Sequence, residues 1–208
     1  MSSRGAAPAL ILASGSRVRR DMLLAAGLDV IVDPADLDEP AVEAACRADG
    51  QATPQVAEAL AAAKATLVAR RHPGRLVIGA DQMLDLDGDS LRKPATRADA
   101  AATLRRLSGR RHRLVSAAVL ARDDAVLWRH HQTADLDMRA LDSTAIAGYL
   151  ERAGDGVLSS VGAYQLESLG AQLFTRIEGD YFTILGLPLL ALLAELRRTG
   201  DAPPGLLD

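Results

Sequence analysis

The sequence predicts an α/β protein: a mixed β-sheet with flanking helices. Three observations predict it. Short apolar runs alternate with longer segments whose apolar residues recur at helical spacing. Asp87-Gly88 and Asp123-Asp124 each separate two strand-like runs, as in antiparallel hairpins. The other strands are linked through helical segments, which suits parallel pairing.

The elements follow in order. Residues 9–13 are a short apolar run that reads as a buried strand. Residues 16–27 read as a helix, with Val18, Met22, Leu23 and Ala26 at near-helical spacing and Gly27 as its stop. Residues 29–33 form a second strand, and an acidic loop with Asp36, Asp38 and Glu39 follows. Residues 55–72 form a helix with a stripe of Val56, Leu60, Ala63 and Leu67. Pro54 suits the first turn, where a missing N–H costs nothing, and Pro73-Gly74 ends the helix. Residues 75–86 are an apolar strand that turns at Asp87-Gly88 into a return strand beginning at 90–92. Residues 97–107 form a helix closed by Ser108-Gly109, and 114–121 and 125–138 are two strands. Asp142 N-caps a helix that runs to Ala153. Residues 154–170 read as loop, 171–177 as strand and 188–198 as a Leu-rich amphipathic helix, with a frayed tail after Gly200. No repeat, low-complexity linker or domain boundary stands out, so the expectation is one domain over 1–208.

Composition narrows the function. A chain of 208 residues can bury a full core without staples, and 49% hydrophobic with 25% charged residues excludes disorder, collagen and coiled coil. One cysteine, Cys46, excludes a disulfide framework and a Cys-rich zinc site, and Cys46 reads as packed. No apolar run reaches about 18 residues, so no membrane span is expected. Residues 1–8 do not resemble a signal peptide, which points to the cytoplasm. A net charge of −3 and 3% aromatics argue against nucleic acid as partner. A small-molecule site or a protein interface remains. Of 24 basic residues only Lys64 and Lys93 are lysine, and asparagine is absent altogether. Where arginine is favoured throughout, two retained lysines are either chance or places where a compact ammonium is needed.

Three segments carry chemistry. In LASGSRVRR, residues 12–20, a buried strand ends in Ser14-Gly15-Ser16 and a helix begins. Free backbone N–H groups at a helix start attract anions, and Gly15 lets a ligand come close. Arg17, Arg19 and Arg20 crowd the first turn, where cations oppose the helix dipole by about 0.3–1 kcal/mol each. A local rule broken this way fits a phosphate site; it equally fits an N-cap Ser16 with arginines reaching solvent. In VIGADQM, residues 77–83, Asp81 interrupts an apolar strand. A carboxylate there needs a partner, which a metal ion, a general-base role or a nearby backbone N–H supplies. The third segment, VGAYQLESLG at 161–170, suits recognition of a flat ring or a plain surface loop. Lys64, Lys93 and the Asp38-Glu39 pair each read as solvated surface or as ligands, the carboxylates for a hard cation. His72 and His112 stand alone and His130-His131 lacks a second ligand pair, so the histidines carry no metal signal. Walker A, Gly-x-Gly-x-x-Gly and Gly-x-Ser-x-Gly motifs are absent.

Together these segments resemble the Maf family of nucleoside triphosphate pyrophosphatases, from Leu10 to about Arg198. The matching pieces are LASGSRVRR, the Ala-Lys of AAAKA, VIGADQ, the Lys-Pro of LRKP, LRRLSGRRH, VGAYQLESLG and RIEGDYFTILGLPL. The resemblance implies two lobes enclosing a nucleotide cleft, a homodimer, and Mg²⁺- or Mn²⁺-dependent cleavage of a nucleoside triphosphate to monophosphate and pyrophosphate. It implies that Ser14, Ser16 and Arg19 hold phosphates and that Lys64 and Lys93 neutralise them. Asp81 becomes the general base or a metal-bound carboxylate, and Glu39 a metal or water ligand. The chain departs from the family at Arg17, where Pro is usual, at Gln82 for Thr, at Ser159-Ser160 for Asp-Lys and at Glu167 for Gln. Gln82 and Glu167 are similar to the subgroup acting on 7-methyl-GTP, which sets the expected substrate apart from UTP and dTTP. A pyrophosphatase specific for dTTP or UTP, a non-catalytic nucleotide-binding regulator of cell division and a nucleotidyltransferase share the phosphate cradle and remain alternatives.

Overall fold

The computed structural model describes residues 10–201. The expectations for residues 1–8 and for the end of the tail lie outside that range. The fold is mixed α/β, with a seven-stranded sheet. Its strands are β1 (Leu10–Leu12), β2 (Val30–Val32), β3 (Val77–Leu86), β4 (Asp89–Leu91), β5 (Arg111–Arg122), β6 (Ala125–Met138) and β7 (Phe174–Glu178). They lie in the order β2-β1-β3-β5-β6-β7, with β4 paired to β3. The helices are α1 (Arg17–Ala25), α2 (Glu39–Ala48), α3 (Thr53–Ala69), α4 (Arg97–Leu107), α5 (Ser143–Ala153), α6 (Tyr181–Ile184) and α7 (Leu189–Thr199). The sheet is mixed as the connections require: β1 pairs parallel with β2 and β3, while β3–β4 and β6–β7 are antiparallel.

The described chain divides into two compact units. The first holds residues up to 81, 117–131 and from 186 on; the second holds 82–116 and 132–185. In the first unit Ile11, Leu12, Leu23, Val56, Val68, Val77, Ile78 and Leu192 are buried. The apolar stripe of α1 therefore faces inward at Met22 and Leu23, as its spacing predicts. The second unit has a core of Leu84, Leu104, Leu107, Leu114, Leu136 and Ile146. That core includes Tyr149 and Tyr164, with Phe174 packed against it.

Differences from expectation have local causes. The acidic stretch after β2 is not all loop, because Asp38 N-caps α2 by accepting from the Ala41 N–H, with Glu39 in the first turn. Residues 169–173 form a 3₁₀ turn, so the strand expected from residue 171 starts instead at Phe174, as β7. Asp180 caps the short helix α6, which the sequence reading missed. His72 and His112 do not stand alone: His72 Nε2 lies 2.8 Å from Asp33 and His112 Nε2 2.8 Å from the Tyr164 hydroxyl.

Candidate active site

The three parallel strands of the first unit deliver the candidate residues. The β1 ladder ends with the Ala13 N–H donating to Ile78 O at 2.8 Å. The chain then turns through Ser14-Gly15-Ser16 into α1. Ser16 caps that helix, its hydroxyl accepting from the Arg19 N–H, and the Ser14 hydroxyl accepts from the Ser16 N–H. β2 leads to Asp38 and Glu39, and β3 carries Asp81 just beyond its pairing with β1. Ligands of α/β proteins bind outside the carboxyl ends of such strands.

Arg19 is not a solvent-seeking cation. Its Nε donates to Gly186 O at 2.7 Å, and Nη1 donates to Ser14 Oγ at 2.9 Å and Ala80 O at 3.1 Å. Burial pushes the guanidinium below its usual range, opposed by the charges of Asp81 and Glu39. The first turn of α1 tolerates this cation because carbonyls and nearby carboxylates compensate for the dipole. Gly186 and Ala80 were not singled out by the sequence. They act through backbone carbonyls, which no residue type advertises.

Lys64 and Asp81 are both buried, at 8% and 6% exposure. Lys64 Nζ donates to Asp81 Oδ1 at 2.6 Å and pairs with Glu39 Oε1 at 2.8 Å. The ammonium therefore bridges the two carboxylates. The geometry depends on Gly79: a Cβ there would stand 2.1 Å from Ala61 O and 2.9 Å from Ala65 N. With no side chain at 79, α3 packs directly on β3 and brings Lys64 to Asp81. Burying Lys64 and Asp81 is tolerable because they pair with each other, while Glu39 reaches the ammonium from the exposed side. The structure thus gathers Ser14, Ser16, Arg19, Glu39, Lys64 and Asp81 in one unit.

The remaining predicted residues lie in the second unit. The Gln82 amide nitrogen donates to Ile184 O at 2.9 Å and Ser116 Oγ at 3.1 Å, with Thr183 O at 3.3 Å. Gln82 anchors α6 by its amide nitrogen, together with Ser116, whose hydroxyl donates to Thr183 O at 2.7 Å. Lys93 is exposed between β4 and α4, and Glu167 is exposed in the loop 161–170. Beneath that loop Tyr164 makes an edge-on ring contact with Phe174 and a hydrogen bond with His112. Burial pushes the Tyr149 hydroxyl up to about 12, with the Glu167 charge adding to the shift.

Two carboxylates bridged by one ammonium form a hard, oxygen-donating set. Among the described residues no group of three or more His, Cys, Asp or Glu is arranged to hold a metal ion. Two carboxylates nevertheless fit magnesium, which usually takes one or two of them and completes its shell with water and substrate phosphates. No helix among the described residues is long and apolar enough to cross a membrane.

Known proteins resemble this chain over nearly its whole length. The chain is 55% identical over 191 residues to a 7-methyl-GTP pyrophosphatase of Mesorhizobium japonicum, covering 92% of this chain and 96% of that one. It is 54% identical over 193 residues to a protein of the same name from Rhizobium etli, covering 93% and 97%. It is 52% identical over 194 residues to a nucleoside triphosphate pyrophosphatase of Paramagnetospirillum magneticum, covering 93% and 100%. Residues 9–199 match the family described as Maf-like protein, and the chain belongs to that family.

Proposed function

We propose that this chain hydrolyses a nucleoside triphosphate between its α and β phosphates, releasing the monophosphate and pyrophosphate, and that it prefers 7-methylated guanine nucleotides. The observation that carries the reading is the buried Lys64 ammonium on Asp81 and Glu39 beside the Arg19 guanidinium. These four groups carry two positive and two negative charges, so their sum is neutral. A triphosphate brings about four negative charges, and its cleavage is mainly positioning and charge stabilisation. Glu39 and Asp81 would hold a Mg²⁺ or Mn²⁺ ion, which when bound supplies the missing positive charge. Ser14, Ser16 and the α1 start receive phosphate oxygens, and Arg19 fixes the shape of that turn. Lys64 and Lys93 neutralise phosphate oxygens. Asp81 orients and deprotonates the attacking water. The names of the relatives support both the reaction and the methylated guanine substrate.

Leu24, Ile31 and Val32 are exposed apolar side chains of the first unit, which supports a homodimer. A nucleoside triphosphate substrate implies a cytoplasmic setting. Incubating the pure protein with Mg²⁺ and a panel of triphosphates tests the reaction. Pyrophosphate is the expected first product. Orthophosphate appearing first would place the cut at another bond, and binding without turnover would favour a regulator.

A further inference from the structure

We infer that Lys64 is a resident stand-in for the divalent cation: without nucleotide its ammonium holds Glu39 and Asp81 closed, so metal is admitted together with the triphosphate and not before it. The inference rests on the proposed pyrophosphatase reading and adds an order of assembly to it.

The geometry carries the argument. Lys64 Nζ lies 2.6 Å from Asp81 Oδ1 and 2.8 Å from Glu39 Oε1. An ammonium at those distances fills the space that any cation bridging the same two oxygens needs. It also removes the charge that attracts one: two carboxylates beside Lys64 and Arg19 leave no net negative charge for a free divalent ion. Arg19 is tied to three oxygens on three different residues, so it is fixed. Lys64 is different, since its four-carbon stem rises from α3 and its head is a point charge that changes partner by rotation alone. An arginine here would grip a carboxylate in a two-pronged contact and give it up less readily.

The triphosphate alters the balance in two ways. It offers the ammonium new oxygens, which frees the carboxylates. It also supplies phosphate ligands that a two-carboxylate site lacks, since no third carboxylate, histidine or cysteine completes such a group among the described residues. Metal and nucleotide must then raise each other's affinity by the same factor.

The experiment measures Mn²⁺ binding rather than turnover. Free Mn²⁺ is followed by electron paramagnetic resonance as it is added to the full chain, with and without the α,β-methylene analogue of GTP. The same titration is run on Lys64→Met, Lys64→Gln and Lys64→Arg, each checked for folding by circular dichroism. The native chain is expected to bind Mn²⁺ weakly alone and roughly tenfold or more tightly with the analogue. Lys64→Met and Lys64→Gln should bind Mn²⁺ roughly tenfold more tightly than native without nucleotide, with a smaller further gain from the analogue. Lys64→Arg keeps a cation in place and should stay weak. Equal native affinity with and without the analogue overturns the inference. So do neutral variants no tighter than native, or an arginine variant as tight as they are. If Lys64→Met fails to fold, the glutamine and arginine variants decide. Pyrophosphate release by the native enzyme is scored separately, so loss of the pyrophosphatase reading is told apart from loss of the stand-in role.

Discussion

Asp81 is a carboxylate inside an apolar strand, 6% exposed, with a lysine drawn in to meet it. Burying both ions costs several kcal/mol each, and an interior apolar pair would do the structural work as well or better. Retaining the ions is therefore better explained by chemistry than by stability. Asp81→Asn keeps the shape and removes the charge. It should lower kcat by about 10²–10⁴-fold while leaving binding of a nucleotide analogue largely intact. Turnover near the native value would make Asp81 a structural residue only. The lysines give a second residue-scale test. Arginine is the basic residue of this chain in all but two places, so Lys64→Arg and Lys93→Arg are the substitutions its composition favours. Each should nevertheless reduce kcat/KM, because a planar, five-donor head does not replace a point charge beside crowded phosphates. Full activity of both variants would show that the two lysines survived by chance.

At the scale of elements, the site exists because α3 and β3 touch at Gly79. A Cβ at that position would meet a backbone carbonyl oxygen at 2.1 Å, and backbone cannot step aside as a side chain can. Gly79→Ala should cost about 1–3 kcal/mol of stability from overpacking. It should also lower kcat at temperatures where the variant is fully folded, since the helix that carries Lys64 is displaced from Asp81. Lowered stability with native kcat would mean that α3 recovers its place. The loop 161–170 is fixed by comparable restraints. Ala163 sits at φ 57°, a Cβ on Gly162 would strike the Tyr164 ring, and one on Gly170 would strike the Gln165 backbone. Such conformations cost of order 1–3 kcal/mol and collect at functional sites. Glu167 is exposed on this loop. An ionised glutamate only accepts, which suits the adjacent ring N–H and amino group of guanine; the positive charge of a 7-methylated guanine strengthens the contact. Native kcat/KM should therefore be higher for 7-methyl-GTP than for GTP, and higher for GTP than for UTP or dTTP. Glu167→Gln should shift the order toward the pyrimidines. A native preference for UTP or dTTP would remove Glu167 from base selection while sparing the reaction.

For the molecule as a whole, the order of strands and helices was legible because burial imposes its own period on the chain. The helix 97–107 matched residue for residue, helped by the capping box in which Thr96 and Asp99 bond each other's backbone. Helix α2 was not legible: Asp38 reads as loop acid until its carboxylate is seen accepting from Ala41. Asp81 and Lys64 stood out by being unlike their surroundings. The carbonyls that hold Arg19 did not, since backbone oxygens look alike in any sequence. The partner of His112 was equally hidden, 52 residues along the chain. That histidine sets an acid limit on stability. It is 3% exposed, and burial lowers it from 6.5 to about 4, against the charges of Asp137 and Asp135 and the Arg110 backbone, which favour protonation. It is therefore neutral in the fold, and between about pH 6.5 and pH 4 the unfolded chain takes up a proton that the folded chain refuses. Stability must then fall as pH falls through that window, by about 2 kcal/mol at pH 5 and about 3 kcal/mol at pH 4 from this residue. Burial lowers His130 in the same direction. The carboxylates held low by arginine, Asp135 and Glu178, contribute their stability above their ordinary range and lose it only at more acid pH. Urea unfolding from pH 7 to pH 5 therefore isolates the histidines. The native chain should lose stability steeply over that interval, and His112→Gln, whose side chain does not titrate, should lose about 2 kcal/mol less. Parallel profiles for the two proteins would mean that His112 takes up its proton as readily in the fold as in the unfolded chain.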